Sequence, residues 1–213
     1  MIPHYERRLL PVGVLVSGRG TNLQAILDSS KAGLIPAEVR VVISNHKGAM
    51  ALTRAKEAGV PSFVVTSREF GQWPGCRRPY EQKIVGILRK FGVELVVLAG
   101  YDRLVGEEML NAFPRKIINI HPSLLPAFPG LHAQRQALEY GVKIAGCSVF
   151  FVDESVDGGP IILQAAVPVL DDDDEETLSA RILREEHRIL CEAVKLFAEG
   201  RLETQGRRVR ILP

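Results

Sequence analysis

The chain has 213 residues, of which 46% are hydrophobic and 24% charged, and its formal net charge is +2. This is the composition of an ordinary globular protein that is long enough to bury a substantial core, and the balanced charge gives no reason to expect nucleic acid or an anionic membrane as a partner. The three cysteines encode neither a disulfide framework nor a CxxC metal site, which favours a reducing compartment.

No segment predicts membrane insertion or export. The longest run without Asp, Glu, Lys or Arg, residues 117–134, contains three prolines and two histidines and cannot be a transmembrane helix. Residues 1–8 lack the apolar stretch of a secretory signal. We therefore expect a cytoplasmic protein with small-molecule partners, either a monomer or a homodimer.

Apolar and amphipathic segments alternate through the first 121 residues. Strands are predicted at 11–17, 38–44, 60–65, 94–99 and 116–121, and helices at 23–31, 49–58, 80–91 and 107–112. Repeated strand–helix–strand units predict a parallel, doubly wound sheet with right-handed crossovers.

The pattern changes after residue 130. A helix is predicted at 131–140, and the link between the apolar segments 145–152 and 160–169 is so short that they can only form an antiparallel pair. A long amphipathic helix follows at 177–199. We expect one domain over residues 1–213, an α/β fold with a Rossmann-like, doubly wound, mostly parallel sheet, an antiparallel strand pair and a long helix in the C-terminal half. The Arg-rich tail, 201–213, carries no recognised site.

A polar pair stands at the C-terminal end of the fifth predicted strand. Asn119 and His121 are two positions apart, so their side chains project from the same face. Prolines at 122, 126 and 129 stop the strand and hold the next segment in a fixed path. Enzymes of the α/β class often present reactive groups in this way, although the spacing alone equally allows a strand-capping Asn and an incidental His.

The turn between the first strand and the first helix contains Gly18 and Gly20. Unpaired N–H groups at a helix N-terminus bind phosphate, and glycines let the backbone approach the anion closely. The third glycine position of a dinucleotide fingerprint holds Leu23, and the second strand does not end in an acidic residue. A monophosphate is therefore favoured over NAD, with a plain βα turn as the alternative.

Two acidic segments have a simple interpretation as solvated chain. The loop 153–160 is of interest only if it folds back over His121, where a carboxylate would favour the imidazolium form. The acidic run 171–176 suits the N-terminus of the long helix. Residues 98–104 predict a pocket wall, and the connection that holds Trp73 and Arg77 is either a mobile flap or a loop. No histidine has metal-ligand spacing, so we expect no metal.

Four motifs resemble those of the phosphoribosylglycinamide formyltransferase family. They are Ser-Gly-Arg-Gly-Thr-Asn-Leu-Gln-Ala-Ile (17–26), Leu-Ala-Gly-Tyr (98–101), Asn-Ile-His-Pro-Ser-Leu-Leu-Pro (119–126) with Pro-Gly-Leu-His (129–132), and Asp-Gly-Gly-Pro (157–160). The similarity runs from about Pro11 to Leu202. It implies transfer of the formyl group of 10-formyltetrahydrofolate to the amine of N1-(5-phosphoribosyl)glycinamide in de novo purine (IMP) biosynthesis.

The resemblance assigns roles to individual residues. Its catalytic trio is Asn119, His121 and Asp157, with the first two stabilising the formyl oxygen and Asp157 keeping His121 charged. It implies a phosphate-binding half at about 11–118 and a catalytic and folate-binding half at about 119–202. The phosphoribosylglycinamide site comprises Gly20, Thr21, Asn22 and Glu186, and the folate site comprises Arg77, Asp102, Arg103, Leu104, Val105 and Asn119.

Two positions depart from the family pattern, and the fold also allows functions other than this transfer. Asp102 stands where an apolar residue is common, and Leu183 where a polar substrate contact can occur. Methionyl-tRNA formyltransferases add a basic C-terminal domain, and formyltetrahydrofolate deformylases add an N-terminal one, so we do not favour either. A formyltetrahydrofolate hydrolase and a non-catalytic phosphosugar or folate binder remain as alternatives, although a binder has no need for the trio.

Overall fold

Strands and helices alternate through the first half of the computed structural model, which describes residues 8–213. The elements are β1 (Leu10–Val16), α1 (Thr21–Lys31), β2 (Ala37–Ser44), α2 (Met50–Glu57), β3 (Ser62–Val64), α3 (Arg77–Lys90), β4 (Leu95–Leu98), α4 (Glu107–Ala112) and β5 (Ile117–His121), with a 3₁₀ turn at Ser67–Glu69. The absence of a secretory signal was predicted from residues 1–8. Of these, residues 1–7 lie outside the part of the chain that the structure describes.

The second half contains α5 (Ala133–Tyr140), β6 (Ile144–Phe151), β7 (Ile161–Pro168), α6 (Glu175–Ala198), β8 (Leu202–Gln205) and β9 (Arg208–Ile211). All nine described strands join one sheet in the order β3-β2-β1-β4-β5-β6-β7-β9-β8. The pairs from β3 to β5 are parallel, and β6 is antiparallel to both β5 and β7. The predicted fold class is confirmed.

Helices cover both faces of the sheet. Val12, Val14 and Val16 of β1 pack into the core that includes α1, α2 and α6, whereas Leu15 packs into the core that includes α3 and α4. This alternation follows from the period of two in a strand. Because β1, β4 and β5 are parallel neighbours, their C-terminal ends meet at one edge of the sheet, where ligands bind in open α/β folds. None of the described helices is both long and apolar enough to cross a membrane.

One predicted helix start differs, and two segments form contacts that were not predicted from the sequence. The helix predicted from residue 80 begins at Arg77 because Pro79 is tolerated in a first turn. The tail 201–213 forms the hairpin β8–β9, and β9 pairs with β7. In the acidic run, Asp173 accepts hydrogen bonds of 2.6 and 2.8 Å from Arg181, and Asp174 forms a capping box with Thr177, so these two side chains are structural and not merely solvated.

Candidate active site

The N-terminus of α1 is open. Its N-cap residue is Gly20, with φ 70°, and no side chain caps the helix, so the N–H groups of its first turn are free for a ligand. A Cβ at Gly20 would lie 2.6 Å from the Cβ of Ala51, whereas one at Gly18 would meet nothing within 4 Å. Gly20 is therefore required by its left-handed backbone and by packing against α2, and not only by the close approach of an anion.

A buried polar pair closes one side of this site. The side-chain Nδ2 of Asn22 donates to Glu186 across 2.7 Å, and Glu186 is 8% exposed. Burial raises the pKa of Glu186, an effect that the Asn22 hydrogen bond and the charges of His121 and Arg19 offset only in part. Within the described chain, the buried Oδ1 of Asn22 has no partner, so it can accept a hydrogen bond from a bound molecule.

One cavity brings together all four residues assigned to the phosphoribosylglycinamide site. Its volume is about 620 Å³, and its lining includes Gly20, Thr21, Asn22, Leu183 and Glu186. Such a volume lies in the range of small-molecule sites. Leu183, which departs from the family pattern, contributes an apolar side chain to this lining.

His121 is 6% exposed and has neighbours at both ring nitrogens. Its Nε2 lies 2.8 Å from the carbonyl oxygen of Phe128, and its Nδ1 lies 3.5 Å from Oδ2 of Asp157. Because a carbonyl only accepts, Nε2 must carry a hydrogen while this contact holds. The ring nitrogen that faces Asp157 is then Nδ1. The 3.5 Å gap between Nδ1 and Asp157 is longer than a normal hydrogen bond.

The loop between β6 and β7 folds back to reach His121. It starts beside the far end of β5, where the Val152 N–H donates to the carbonyl of Ile117, and it returns along the strand. Asp157 accepts a 2.8 Å hydrogen bond from the Gly130 N–H, and its φ is 49°. A non-glycine residue with positive φ is strained, and such residues cluster at functional sites. The loop is therefore not the freely solvated segment of the simpler interpretation.

Asn119 lies on the same face of β5 as His121. It pairs in register with Leu98 of β4 and Phe150 of β6, and it is only partly buried. Among residues 8–213, its side-chain amide has no hydrogen-bond partner. The amide is thus available to a ligand next to His121.

The residue that holds the proline-rich loop after β5 was not predicted from the sequence. Ser148 of β6 is fully buried; its Oγ donates to the carbonyl of Ser123 at 2.7 Å and accepts from the Leu125 N–H at 3.0 Å. Gln164 of β7 donates to the same Oγ at 2.9 Å. These bonds fix the path that presents the Phe128 carbonyl to His121. A serine in an apolar strand gives no spacing signal, so only the pairing of strands reveals it.

Asp102 belongs to a polar network at the edge of the sheet. Its carboxylate accepts hydrogen bonds from Asn45 at 2.5 Å and His46 at 2.8 Å, and its backbone N–H donates to Ser17. Burial acts to raise the pKa of Asp102, but the hydrogen bonds from His46, Asn45 and Ser17 outweigh it and the pKa is lowered. The network joins the segments that follow β1, β2 and β4, and so accounts for an acid at this position.

Two of the other residues assigned to folate, Arg77 and Arg103, lie beside the ring of Trp73. The guanidinium carbons of Arg77 and Arg103 lie 5.7 and 5.2 Å from the centre of its ring, within cation–π distance. Trp73 also packs edge-on against Tyr80, so this connection is a packed loop. Leu104 is exposed, and Val105 packs against the core. No cluster of three or more His, Cys, Asp or Glu residues suited to a metal occurs within residues 8–213.

These features define an α/β protein in which an open helix terminus lies near a buried histidine–carboxylate pair. The formyl transferase family model matches residues 11–194. Phosphoribosylglycinamide formyltransferase of Escherichia coli (strain K12) is 42% identical over 190 residues, which cover 89% of this chain and 88% of that protein. The chain belongs to the formyl transferase family.

Further comparisons agree with this assignment. Glycinamide ribonucleotide transformylase 1 from Symbiobacterium toebii has a crystal structure that superposes with a TM-score of 0.95 at 55% identity, covering 100% of this chain and 99% of that one. The trifunctional purine biosynthetic protein adenosine-3 of Drosophila melanogaster is 45% identical over 92% of this chain. The chain spans only 14% of the length of that relative.

Proposed function

We propose that this protein transfers the formyl group of 10-formyltetrahydrofolate to the amine of phosphoribosylglycinamide in de novo purine biosynthesis. The observation that carries the proposal is the His121–Asp157 pair, buried at the end of β5 and close enough to Glu186 for its charge to affect that carboxyl group. An acid–base pair at this point has no use in a protein that only binds. The relatives named above support the same substrates.

The phosphoribosylglycinamide binds in the cavity of about 620 Å³. Its phosphate accepts hydrogen bonds from the open first turn of α1 at Gly20, Thr21 and Asn22, where the helix dipole favours an anion. The ribose hydroxyls donate to Glu186 and to the unpartnered Oδ1 of Asn22, which satisfies both buried acceptors. This orientation directs the amine of the substrate toward His121.

The folate lies along the loop that follows β4. Residues Asp102–Val105 form the wall beside Asn119, because β4 and β5 pair as far as Leu98 and Asn119. The negatively charged tail of the folate is held by Arg77, whose guanidinium is oriented by Trp73. The formyl carbon then lies next to both the amide of Asn119 and Nδ1 of His121.

The reaction is a direct transfer. The amine attacks the formyl carbon to form a C–N bond, and negative charge develops on the formyl oxygen. Asn119 and protonated His121 donate hydrogen bonds to that oxygen; losing one such donor costs roughly 2.7–4 kcal/mol in barrier height. The proton lost by the amine passes to the folate nitrogen, assisted by an ordered water beside Asp157. The bond between carbon and folate nitrogen then breaks, releasing tetrahydrofolate and the formylated amide.

A spectrophotometric assay with 10-formyl-folate, with and without phosphoribosylglycinamide, tests the proposal. Amine-dependent loss of the formyl group is the expected result. Loss without the amine would instead indicate a hydrolase, and no loss with folded protein would indicate a binding protein. Because no side chain acts as nucleophile, we expect no formylated protein during turnover, and mass spectrometry of rapidly quenched enzyme checks this.

A further inference from the structure

A buried carboxylate outside the assigned sites holds the end of residues 102–105, the segment that the proposed function assigns to folate and that we call the folate loop. Glu81 lies on α3 and is only 3% exposed. Its Oε1 accepts the Gly106 N–H at 2.6 Å and the Nε of Arg77 at 3.2 Å, and its Oε2 accepts the Met109 N–H at 3.4 Å. Three donors therefore converge on this one buried side chain, and one of them belongs to the ion pair with Arg77.

Glu81 caps a helix to which it does not belong. The N-cap residue of α4 is Gly106, which has no side chain and so cannot cap the helix itself. A carboxylate at this terminus pairs with free N–H groups and with the positive end of the helix dipole. Since residues 102–105 lead directly into Gly106, the cap fixes where the folate loop ends.

Gly106 also provides the space that Arg77 occupies. A Cβ at this position would lie 2.4 Å from Nε and 2.7 Å from Cζ of Arg77. The φ of Gly106 is −119°, which any residue adopts, so the requirement is for space alone. The Arg77 side chain therefore passes over Gly106, between Glu81 and the ring of Trp73.

We infer that Glu81 is the positioning residue of the folate site. It acts together with Gly106, whose lack of a side chain leaves room for Arg77. One carboxylate orients the cation that receives the folate tail and anchors the loop that forms the folate wall. Glu81 itself touches no substrate. This inference rests on the proposed function, because it assigns a role within the folate site of that reaction.

The only tryptophan of the chain, Trp73, provides a direct measurement. Its ring contacts Arg77 and Arg103, so its fluorescence reports folate binding without turnover. We would titrate wild-type protein, Glu81→Gln, Gly106→Ala and the control Glu107→Gln with tetrahydrofolate and with 10-formyltetrahydrofolate. Glu107→Gln removes an exposed carboxylate from the same first turn of α4. Steady-state KM values for both substrates and the Tm of each variant complete the set.

Glu81→Gln and Gly106→Ala are each expected to raise the folate Kd about tenfold or more, because each disturbs a charged contact of Arg77. The KM for phosphoribosylglycinamide and the Kd of Glu107→Gln should stay near wild type. Gly106→Ala keeps the N–H that Glu81 caps. If Glu81→Gln does not fold, the folate Kd of Gly106→Ala still tests whether the position of Arg77 affects folate binding.

Two results would overturn the positioning role. One is a folate Kd that is unchanged in the variants. The other is an equal rise in both KM values together with a lower Tm, which would make Glu81 merely structural. Wild-type protein that binds no folate would overturn the proposed function as well, and this outcome is seen before any variant is tested.

Discussion

Asn22 donates a hydrogen bond of 2.7 Å to Glu186, although 164 residues separate them in the chain. The contact joins the first turn of α1 to the middle of α6 and encloses the carboxyl group. Burial raises the pKa of Glu186, so the folded protein holds this proton more tightly than the unfolded chain. An acid of this kind destabilises the fold once the pH exceeds its unfolded pKa, and the penalty grows until the pH passes the folded pKa.

Glu186→Gln should remove this penalty. The Tm of the variant minus that of the wild type should become more positive as the pH rises above about 4.3, the usual pKa of Glu. Thermal unfolding across a pH series measures it, with Glu192→Gln, an exposed acid on the same helix, as the control. A Tm difference that does not change with pH would contradict the prediction. The KM for phosphoribosylglycinamide should rise about tenfold from the weaker contact to the ribose.

Under the proposed mechanism, Asp157→Asn should lower kcat by about 10²–10⁴-fold with small changes in either KM, because the carboxylate beside His121 is lost. The Asn side chain still accepts from Gly130, so the loop should stay in place. Asp153→Asn is the matched control, since its carboxylate bonds only to Ser155 in the described structure. His121→Ala and Asn119→Ala should also lose most turnover while remaining folded. Near-wild-type turnover in Asp157→Asn would return the loop to the solvated interpretation.

Gly20→Ala should destabilise the protein more than Gly33→Ala. Both glycines have positive φ, 70° and 69°, so each alanine should cost about 1 kcal/mol through its backbone. Only Gly20 faces another residue, Ala51, at a distance that a Cβ cannot occupy. Urea unfolding compares the two variants. Gly20→Ala should also weaken phosphoribosylglycinamide binding, and equal stabilities for the two variants would show that contact with α2 is unimportant.

Asp102→Asn should reveal a stability contribution that depends on pH in the opposite direction from that of Glu186. The pKa of Asp102 is lowered in the folded protein, so its stabilisation is present above the unfolded pKa, about 3.9, and disappears as the pH falls through the folded value. The variant should unfold at a lower temperature than wild type near neutral pH and at the same temperature in strong acid. His46→Gln, which keeps a hydrogen-bond donor, should have a smaller effect at neutral pH.

The architecture was predictable because most elements carry their pattern locally. Periods of two and of 3.6 residues located β1 to β7 and all six helices to within about three residues. The hairpin β8–β9 was missed because arginines at 208 and 210 alternate with Val209 and Ile211 on a half-exposed strand, and the basic composition obscured that alternation. Gly206, with φ 60°, marks the turn between the two strands.

The site was predictable where motifs carry it and unpredictable where it depends on contacts across the fold. The motifs selected Asn119, His121 and Asp157 as candidates, and the fold brings the last two within 3.5 Å of each other. Glu81 and Ser148 belong to no motif, because each acts on a backbone N–H group supplied by another element. Acidic residues and serines also occur on the surfaces of helices and strands. Only the tertiary structure therefore distinguishes Glu81 and Ser148 from surface residues.

The hydrogen bond from Gly130 to Asp157 joins the two loops on either side of His121. An amide hydrogen held in this way exchanges with deuterium only when the loops separate. The exchange rate at Gly130 in substrate-free protein therefore gives the free energy that keeps the carboxylate docked on the histidine. Comparing that rate with and without each substrate would show which of the two closes the loops.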